Sequence, residues 1–406
     1  MKKWAVKTIT ISVFIVLILF TVTGCFPEIE NDSGLNDTVS ENSTSDVNNQ
    51  NDVREFPTYI EDTDIEKLTI NANVNFPDNF DVNQKVSISI AKLVTWDRNN
   101  FVMEFSNGRQ VVDEFSGDNM GPGDTFYSYG YEDGSCLVFY SGAVSYRTEM
   151  SDEHQYSYYF NYFENFKDEN TLKNMFSDKN IDGIEKSAAL DSANQVASLL
   201  EIDNILGQPQ IYTMDVDSVN HLQDEMDARD KYGNAVSKWT SEQEAYLLVY
   251  PVLYQNIPSL YISSANNTNE MMSSSKVWFI YGRNGLISFD ISRIFDVEST
   301  IQEAPVCSPL DVVKIVKSSF ENIIMDRELT ISSIKLGVIA RQDMSVITEG
   351  NFDELKIEPV WFVDGKYEIA TKNNSSDKKG PAYNPNYFTI ISAVSGETIP
   401  VNSIGG

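Results

Sequence analysis

Apolar and polar positions alternate through much of residues 65–150, and that alternation predicts half-buried strands. In "IEKLTINANVNF", Leu68, Ile70, Ala72, Val74 and Phe76 share one face, with polar residues between them. "KVSISIAKLV" repeats the period through Val86, Ile88 and Ile90. Two hairpins are predicted next. One joins "FVMEF" to "QVVDEF" at Asn107-Gly108, and the other joins "FYSYGY" to "CLVFY" at Asp133-Gly134. Both dipeptides favour tight turns because they tolerate positive φ. An antiparallel meander is the expectation. "HQYSYYFNYFENF" follows, apolar on both faces, and reads as a strand or helix covering that sheet. The competing reading makes Tyr156, Tyr158 and Tyr162 a stacking platform for sugars.

After residue 180 the period becomes helical. "SANQVASLLEIDNILG" sets Val196, Leu199, Leu200 and Leu206 on one face and stops at Gly207 and Pro209. Strand-like segments follow in "PQIYTMDV" and "AYLLVYPVLY", then a hairpin in "KVWFIYGRNGLISFDI" turning at Asn284-Gly285. Between them lies a charged insertion, residues 220–243. Its acids, with Asp215 and Asp217 just before, read as a solvated face. The alternative is a docking surface for a basic partner.

The same order then recurs. Ser308-Pro309-Leu310-Asp311 resembles a capping box, with proline at the first helical position and Asp where Glu or Gln is usual. Val313, Val316, Phe320 and Ile323 line the helix that it opens, and "LTISSIKLGVIA", "LKIEPVWFV" and "YFTIISAVSGETI" follow as strands. "VYPVLY" overlays "IEPVWF", which puts Pro251 opposite Pro359, and Gly285 falls opposite Gly396 at nearly the same offset. Both landmarks point to an internal duplication of a helix followed by three or four strands.

The chain begins differently. Lys2, Lys3 and Lys7 precede the apolar run Ile9–Phe20, which is shorter than the roughly 20 residues a spanning helix needs. It reads as a signal peptide over residues 1–24. Val22-Thr23-Gly24-Cys25 resembles a bacterial lipobox, so Cys25 is the expected lipidation site, and two or more acyl chains there give stable anchoring. Residues 25–64 are dominated by Asn, Asp, Ser, Thr and Glu, with little to bury, and are expected to be a disordered acidic tether. A flexible chain of that length spans about 35 Å.

Composition narrows the role. At 406 residues and 41% hydrophobic the chain can build two or three cores. Its formal charge of −30 gives no footprint for nucleic acid. The expected class is α+β: an antiparallel β domain at 65–180, then two helix-plus-sheet modules at 181–303 and 304–406.

The last strands, "EPVWFVDGKYEI" through "FTIISAVSGETI", resemble the PepSY and YycH/YycI type of extracellular module, more weakly so over 185–300. The whole layout is similar to uncharacterised lipoproteins of Gram-positive bacteria. What the resemblance implies is a PepSY/cystatin-like binding or regulatory module outside the membrane. It brings no catalytic residues.

Recognisable chemistry is sparse. There are two histidines, His154 and His221, and no H-E-x-x-H, G-x-S-x-G or Walker pattern. Ser273-Ser274-Ser275-Lys276 fits S-x-x-K but sits in a polar loop without its companion motifs. Cys136 and Cys307 read as two unpaired thiols sooner than as a disulfide. "DKNIDG" matches half of an EF-hand loop, making Asp178, Asn180 and Asp182 a weak calcium candidate. The twelfth position, which should be a bidentate Glu, is Ala189. The expectation is a lipid-anchored protein on the outer face of a cell membrane. It has no cofactor and no enzymatic activity, and it binds a protein partner in the envelope. The alternative is a small-ligand or wall-polysaccharide binder using the aromatic segment.

Overall fold

The alternating segments at the start of the folded body form strands where they were expected. The structure, a computed structural model, describes residues 54–118, 125–154, 156, 176, 178–225, 235–260, 270–343, 355–368 and 386–401. In chain order come β1 (Tyr59–Ile65), β2 (Leu68–Asn75), β3 (Lys85–Leu93), α1 (Arg98–Ser106), β4 (Val111–Asp118), β5 (Thr125–Tyr131), β6 (Cys136–Tyr140) and β7 (Ala143–Arg147). A short α2 (Glu149–Glu153) follows, then α3 (Lys186–Leu199), β8 (Gln210–Met214), α4 (Val216–Glu225) and β9 (Ala245–Tyr250). After these are β10 (Leu253–Tyr254), β11 (Ile257–Pro258), β12 (Glu270–Ser273), β13 (Lys276–Gly282), β14 (Gly285–Ser292) and β15 (Phe295–Pro305). The chain ends with α5 (Pro309–Phe320), β16 (Leu329–Asp343), β17 (Leu355–Tyr367), β18 (Asn386–Ser392) and β19 (Thr398–Ile399). The architecture is mixed α+β and rich in antiparallel strands.

Two large sheets organise these elements. One has eight strands in the order β4-β5-β6-β7-β14-β13-β9-β8, antiparallel throughout. α3 packs its small residues Ala189, Ala193 and Ala197, with Val196, against Tyr246, Leu248, Phe279 and Phe289 on one face. α4 covers the other face at the same end, where Val219 and Leu222 meet Tyr156, Trp239, Leu247, Trp278 and Ile280. α1 lies over the far end, with Phe101 edge-on to Phe139 at 5.5 Å.

The second sheet is built on β16 and β17, 15 and 13 residues long, beyond the usual three to ten. That length lets each strand carry two partners on its outer side. β16 takes β2 in parallel along Leu329–Lys335 and β12 along Ala340–Asp343. β17 takes β18 along Val360–Lys366 and β3 along Leu355–Ile357. Among the described residues β15 pairs with β3 alone, and β1 pairs with β2. Lys317 of α5 donates to Asp62 and Asp64 at 2.7 and 2.9 Å, fastening that helix to β1. The Lys317 hydrogen bond holds the Asp62 carboxyl below the usual carboxylate range.

Four expectations need correction. "FVMEF" is helix α1, not a strand. Asp97 caps it by accepting from Asn100 N at 3.1 Å, and Phe101 and Phe105, four residues apart, stack at 5.2 Å. Asn107 and Gly108 then take positive φ to end that helix, not to turn a hairpin. Second, the insertion is more than a solvated face. α4 buries Val219 and Leu222, and Asp215 caps it through Ser218 N at 2.9 Å. Third, the expected boundaries at 180 and 303 do not divide the sheets. β7 pairs with β14, β3 with β15, and β2 with β16, so the 65–180 segment contributes to both. Residues Val53–Gly406 form one compact unit. Fourth, the tether expected to be disordered over 25–64 does not run to residue 64: its last residues form β1, paired with β2.

The helix-then-strands order does appear twice. α3 precedes the contiguous meander β8-β9-β13-β14, and α5 precedes β16-β17-β18-β19. Pro251 and Pro359 fall at the end of and within the second strands, and Gly285 and Gly396 in the turns between the third and fourth.

Candidate functional site

Among the described residues the eight-stranded sheet is covered unequally, and the less covered part is where a ligand could reach it. Register and the two-residue period put Phe115, Ser128, Val138, Ser145 and Asp290 in one row of the face opposite α1. Gly117, Phe126 and Tyr140 form the next. The rings of Phe115 and Phe126 lie 5.5 Å apart, and Phe126 stacks on Tyr140 at 5.9 Å. Gly117 makes this arrangement fit, because a Cβ there would sit 3.0 Å from the Phe126 ring. Phe115 is 57% exposed and Tyr140 36%. Such a run of exposed aromatics is a feature that folding alone does not call for.

The opposite face fixes the platform. Tyr129, Tyr131, Leu137, Phe139 and Tyr146 are buried there. Burial pushes the Tyr131 hydroxyl up from its ordinary range. Arg109 clamps the end of α1 onto them. Its guanidinium donates to the carbonyls of Phe105 and Ser106 at 3.1 Å and to Tyr146 Oη at 2.8 Å, and lies 4.6 Å from the Tyr131 ring centre. A cation on the last carbonyls of a helix is favourable.

β4 is the edge of this platform and pairs only with β5 among the described residues. Six of its eight side chains are exposed, among them Asp113, Glu114 and Asp118. Arg98 is the neighbouring cation, 3.2 Å from the Tyr127 ring centre on the α1 side.

The residues singled out from sequence are placed elsewhere. Tyr156 is not a ligand-facing ring: it is fully buried against Trp239 at 4.5 Å and donates to Gln243 O at 2.6 Å. Burial raises its hydroxyl far above the ordinary tyrosine range. Tyr158, Tyr162 and Cys25 lie outside the described residues, as do Asp227 and Asp230 of the insertion. In "DKNIDG" the carbonyl of Asp178 accepts from Lys186 Nζ at 2.6 Å and that of Asp182 from Arg283 at 3.1 Å. Cationic side chains therefore occupy backbone oxygens of the calcium candidate, and no group of three or more His, Cys, Asp or Glu with metal-binding geometry occurs among the described residues.

Asn180 and Asp182 line a cleft of about 440 Å³ with Thr213, Asp215, Glu244 and Arg283. Its polar side chains bond to backbone. Arg283 also donates to Ser241 O at 3.3 Å, Thr213 to Lys179 O at 2.5 Å, and Glu244 accepts from Val216 N at 3.3 Å. These bonds hold the start of α4 to the sheet.

Cys136 and Cys307 are unpaired and belong to different surroundings. Cys136 lies 3.4 Å from Ser128 Oγ on the open sheet face. Cys307 sits beside Trp361, whose indole donates to its carbonyl at 3.1 Å. Burial pushes its thiol up to about 11. His154 ends α2 and packs edge-on to Tyr156, while His221 pairs with Glu225 on the exposed side of α4. Of the S-x-x-K residues, Ser273 ends β12 and Lys276 opens β13, so no helix begins at the serine. Among the described residues no helix is long and apolar enough to cross a membrane.

Sequence reading missed Phe115, Phe126 and Tyr140 as a group. The signal was present in "QVVDEF" and "FYSYGY", but pairing Phe126 with Gly117 requires the β4–β5 register, which the misread Asn107-Gly108 hairpin concealed.

No protein-family profile matches this chain, and no curated protein matches it. A solved structure similar to it is that of an uncharacterised protein from Eubacterium rectale ATCC 33656, with a TM-score of 0.57 and 13% sequence identity. The match covers 85% of this chain and 94% of that one. A likeness at that identity concerns the fold alone.

Proposed function

We propose that this chain is a lipid-anchored lipoprotein of the outer membrane face in a Gram-positive type of envelope, acting without catalysis as a protein-binding or regulatory module. The lipobox at Val22–Cys25 and the polar stretch after it support the anchor. Two helix-plus-meander units in the same order support a tandem duplication of a PepSY-like module. The observation that carries the binding role is the partly exposed Phe115–Phe126–Tyr140 row on a sheet whose other end is covered on both faces. Photo-cross-linking from position 115 in intact cells is expected to trap a discrete protein partner; a clean absence of adducts sinks the reading.

The same aromatic row favours one second reading, a wall glycan stacked on the rings. It expects peptidoglycan to retain the protein, and Phe126→Ala with Tyr140→Ser to release it.

A further inference from the structure

Among the described residues two long edge strands are paired on one side only, and they are defended differently. β15 carries two register shifts against β3, ends in Pro305, and is laced to β3 by Lys92–Glu298 and Lys85–Glu303. Bulges, proline and paired charges are the usual means of keeping an edge from recruiting another strand. β4 has one register shift, between Val111 and Asp113, and then runs regularly from Asp113 to Asp118 with no proline, lysine or arginine. Its outward backbone groups meet no strand among the described residues.

We propose that the β4 edge is a docking site for an extended, cationic-apolar segment of a partner protein, which adds to the sheet as a ninth strand antiparallel or parallel to β4. Three properties select that chemistry. An edge presents alternating N–H and C=O groups, and an extended backbone satisfies both kinds at once. Asp113, Glu114 and Asp118 set three carboxylates along eight residues of a chain whose net charge is −30, so lysine or arginine at the partner's alternate positions gains and acidic residues lose. On the open face, Phe115 at the edge and Phe126 behind it offer ring faces to an apolar side chain or to a guanidinium.

The same charges exclude a second copy of this chain. Pairing β4 with β4 would bring its carboxylates against one another, and like charges directly opposite destabilise a ladder. These carboxylates thus guard against self-association while leaving the edge open to a basic strand.

This inference rests on the protein-binding reading. The test uses the full-length protein in detergent with a fluorescein-labelled peptide of alternating Lys and Val, eight residues long, and its Glu-Val counterpart. Saturable anisotropy is expected for the Lys-Val peptide at no more than one tenth of the concentration needed for Glu-Val. Bound peptide is also expected to slow hydrogen exchange at β4 amides. Reversing one face of the edge with Glu114→Lys and Asp118→Lys is expected to invert the preference, while Asp296→Lys on β15 leaves it unchanged. Exchange on the wild-type protein needs no variant to fold. Binding that ignores the β4 reversal, responds equally to Asp296→Lys, or leaves β4 exchange unaltered overturns the docking edge. If cells still yield a cross-linked partner in that case, the module reading survives alone.

Discussion

The two helix-plus-meander units share an order of elements but not a way of being covered. In the first, strands β8, β9, β13 and β14 run five to eight residues, and both faces are closed by α3 and α4. In the second, β16 and β17 run far past α5, and the excess length is paired by β2, β3 and β12 from elsewhere in the chain. The short-stranded unit takes one outside neighbour, β7 along its β14 edge. A long-stranded one needs additional strands, because each unpaired residue at its margins exposes backbone groups that must find partners. The difference explains why the chain is one body despite its repeated order.

The largest expected effect comes from a feature present only on the long hairpin. Arg341 of β16 pairs with Glu358 of β17, and the glutamate side chain is 3% exposed. Arg341→Met leaves a buried carboxylate without its cation and is expected to cost about 3–5 kcal/mol. The double change Arg341→Met with Glu358→Leu removes both charges and is expected to recover most of the loss. Chemical denaturation of the wild type, the two single variants and the double variant checks this. Equal destabilisation by the single and double changes would show that the long hairpin does not depend on that pair.

Much of the second unit was legible locally. The Ser308 cap, the Asn284-Gly285 hairpin of the first unit and Val313, Val316 and Phe320 of the expected stripe are short-range patterns and are found, whereas Ile323, expected on the same stripe, lies past the end of α5 and is 57% exposed. What could not be read was recruitment. β2 looks like any half-buried strand, and nothing in its alternation says that it pairs in parallel with a strand about 260 residues away. "FVMEF" failed for a different reason. Five residues satisfy a two-residue and a 3.6-residue period equally well, and the Asp97 cap that decides between them lies just outside the run. The open aromatic row was illegible because it is a cross-strand property, set by register and by which end of a sheet the helices leave bare.

A smaller effect tests the junction between the units. Cys307 stands at the entrance to α5, and burial raises its thiol from the ordinary 9.0 to about 11. A raised folded value means that the native state keeps its proton longer than the unfolded chain does. The associated stability is therefore complete below pH 9 and disappears as pH climbs through about 11, on the order of 2 kcal/mol. Cys307→Ala is expected to flatten that alkaline decline, measured as the denaturation midpoint between pH 8 and 11. An unchanged pH profile would place the decline on buried tyrosines such as Tyr250 and Tyr254, both pushed up to about 12.

The finest distinction between the units lies at the first turns of their helices. Ser308 Oγ accepts from Leu310 N at 3.2 Å at the start of α5, while Glu185 at the same place on α3 makes no side-chain cap. A serine cap is worth about 1 kcal/mol over alanine. Ser308→Ala should cost about that much, and Glu185→Ala should cost almost nothing. Glu185 already has extended backbone angles, φ −84° and ψ 130°, which suit a capping residue. Glu185→Ser is therefore expected to stabilise the first unit by several tenths of a kcal/mol, with thermal denaturation as the measure. A loss instead would mean that the longer carboxylate acts at that turn in a way the cap geometry does not reveal, and that the helices differ by more than one hydrogen bond.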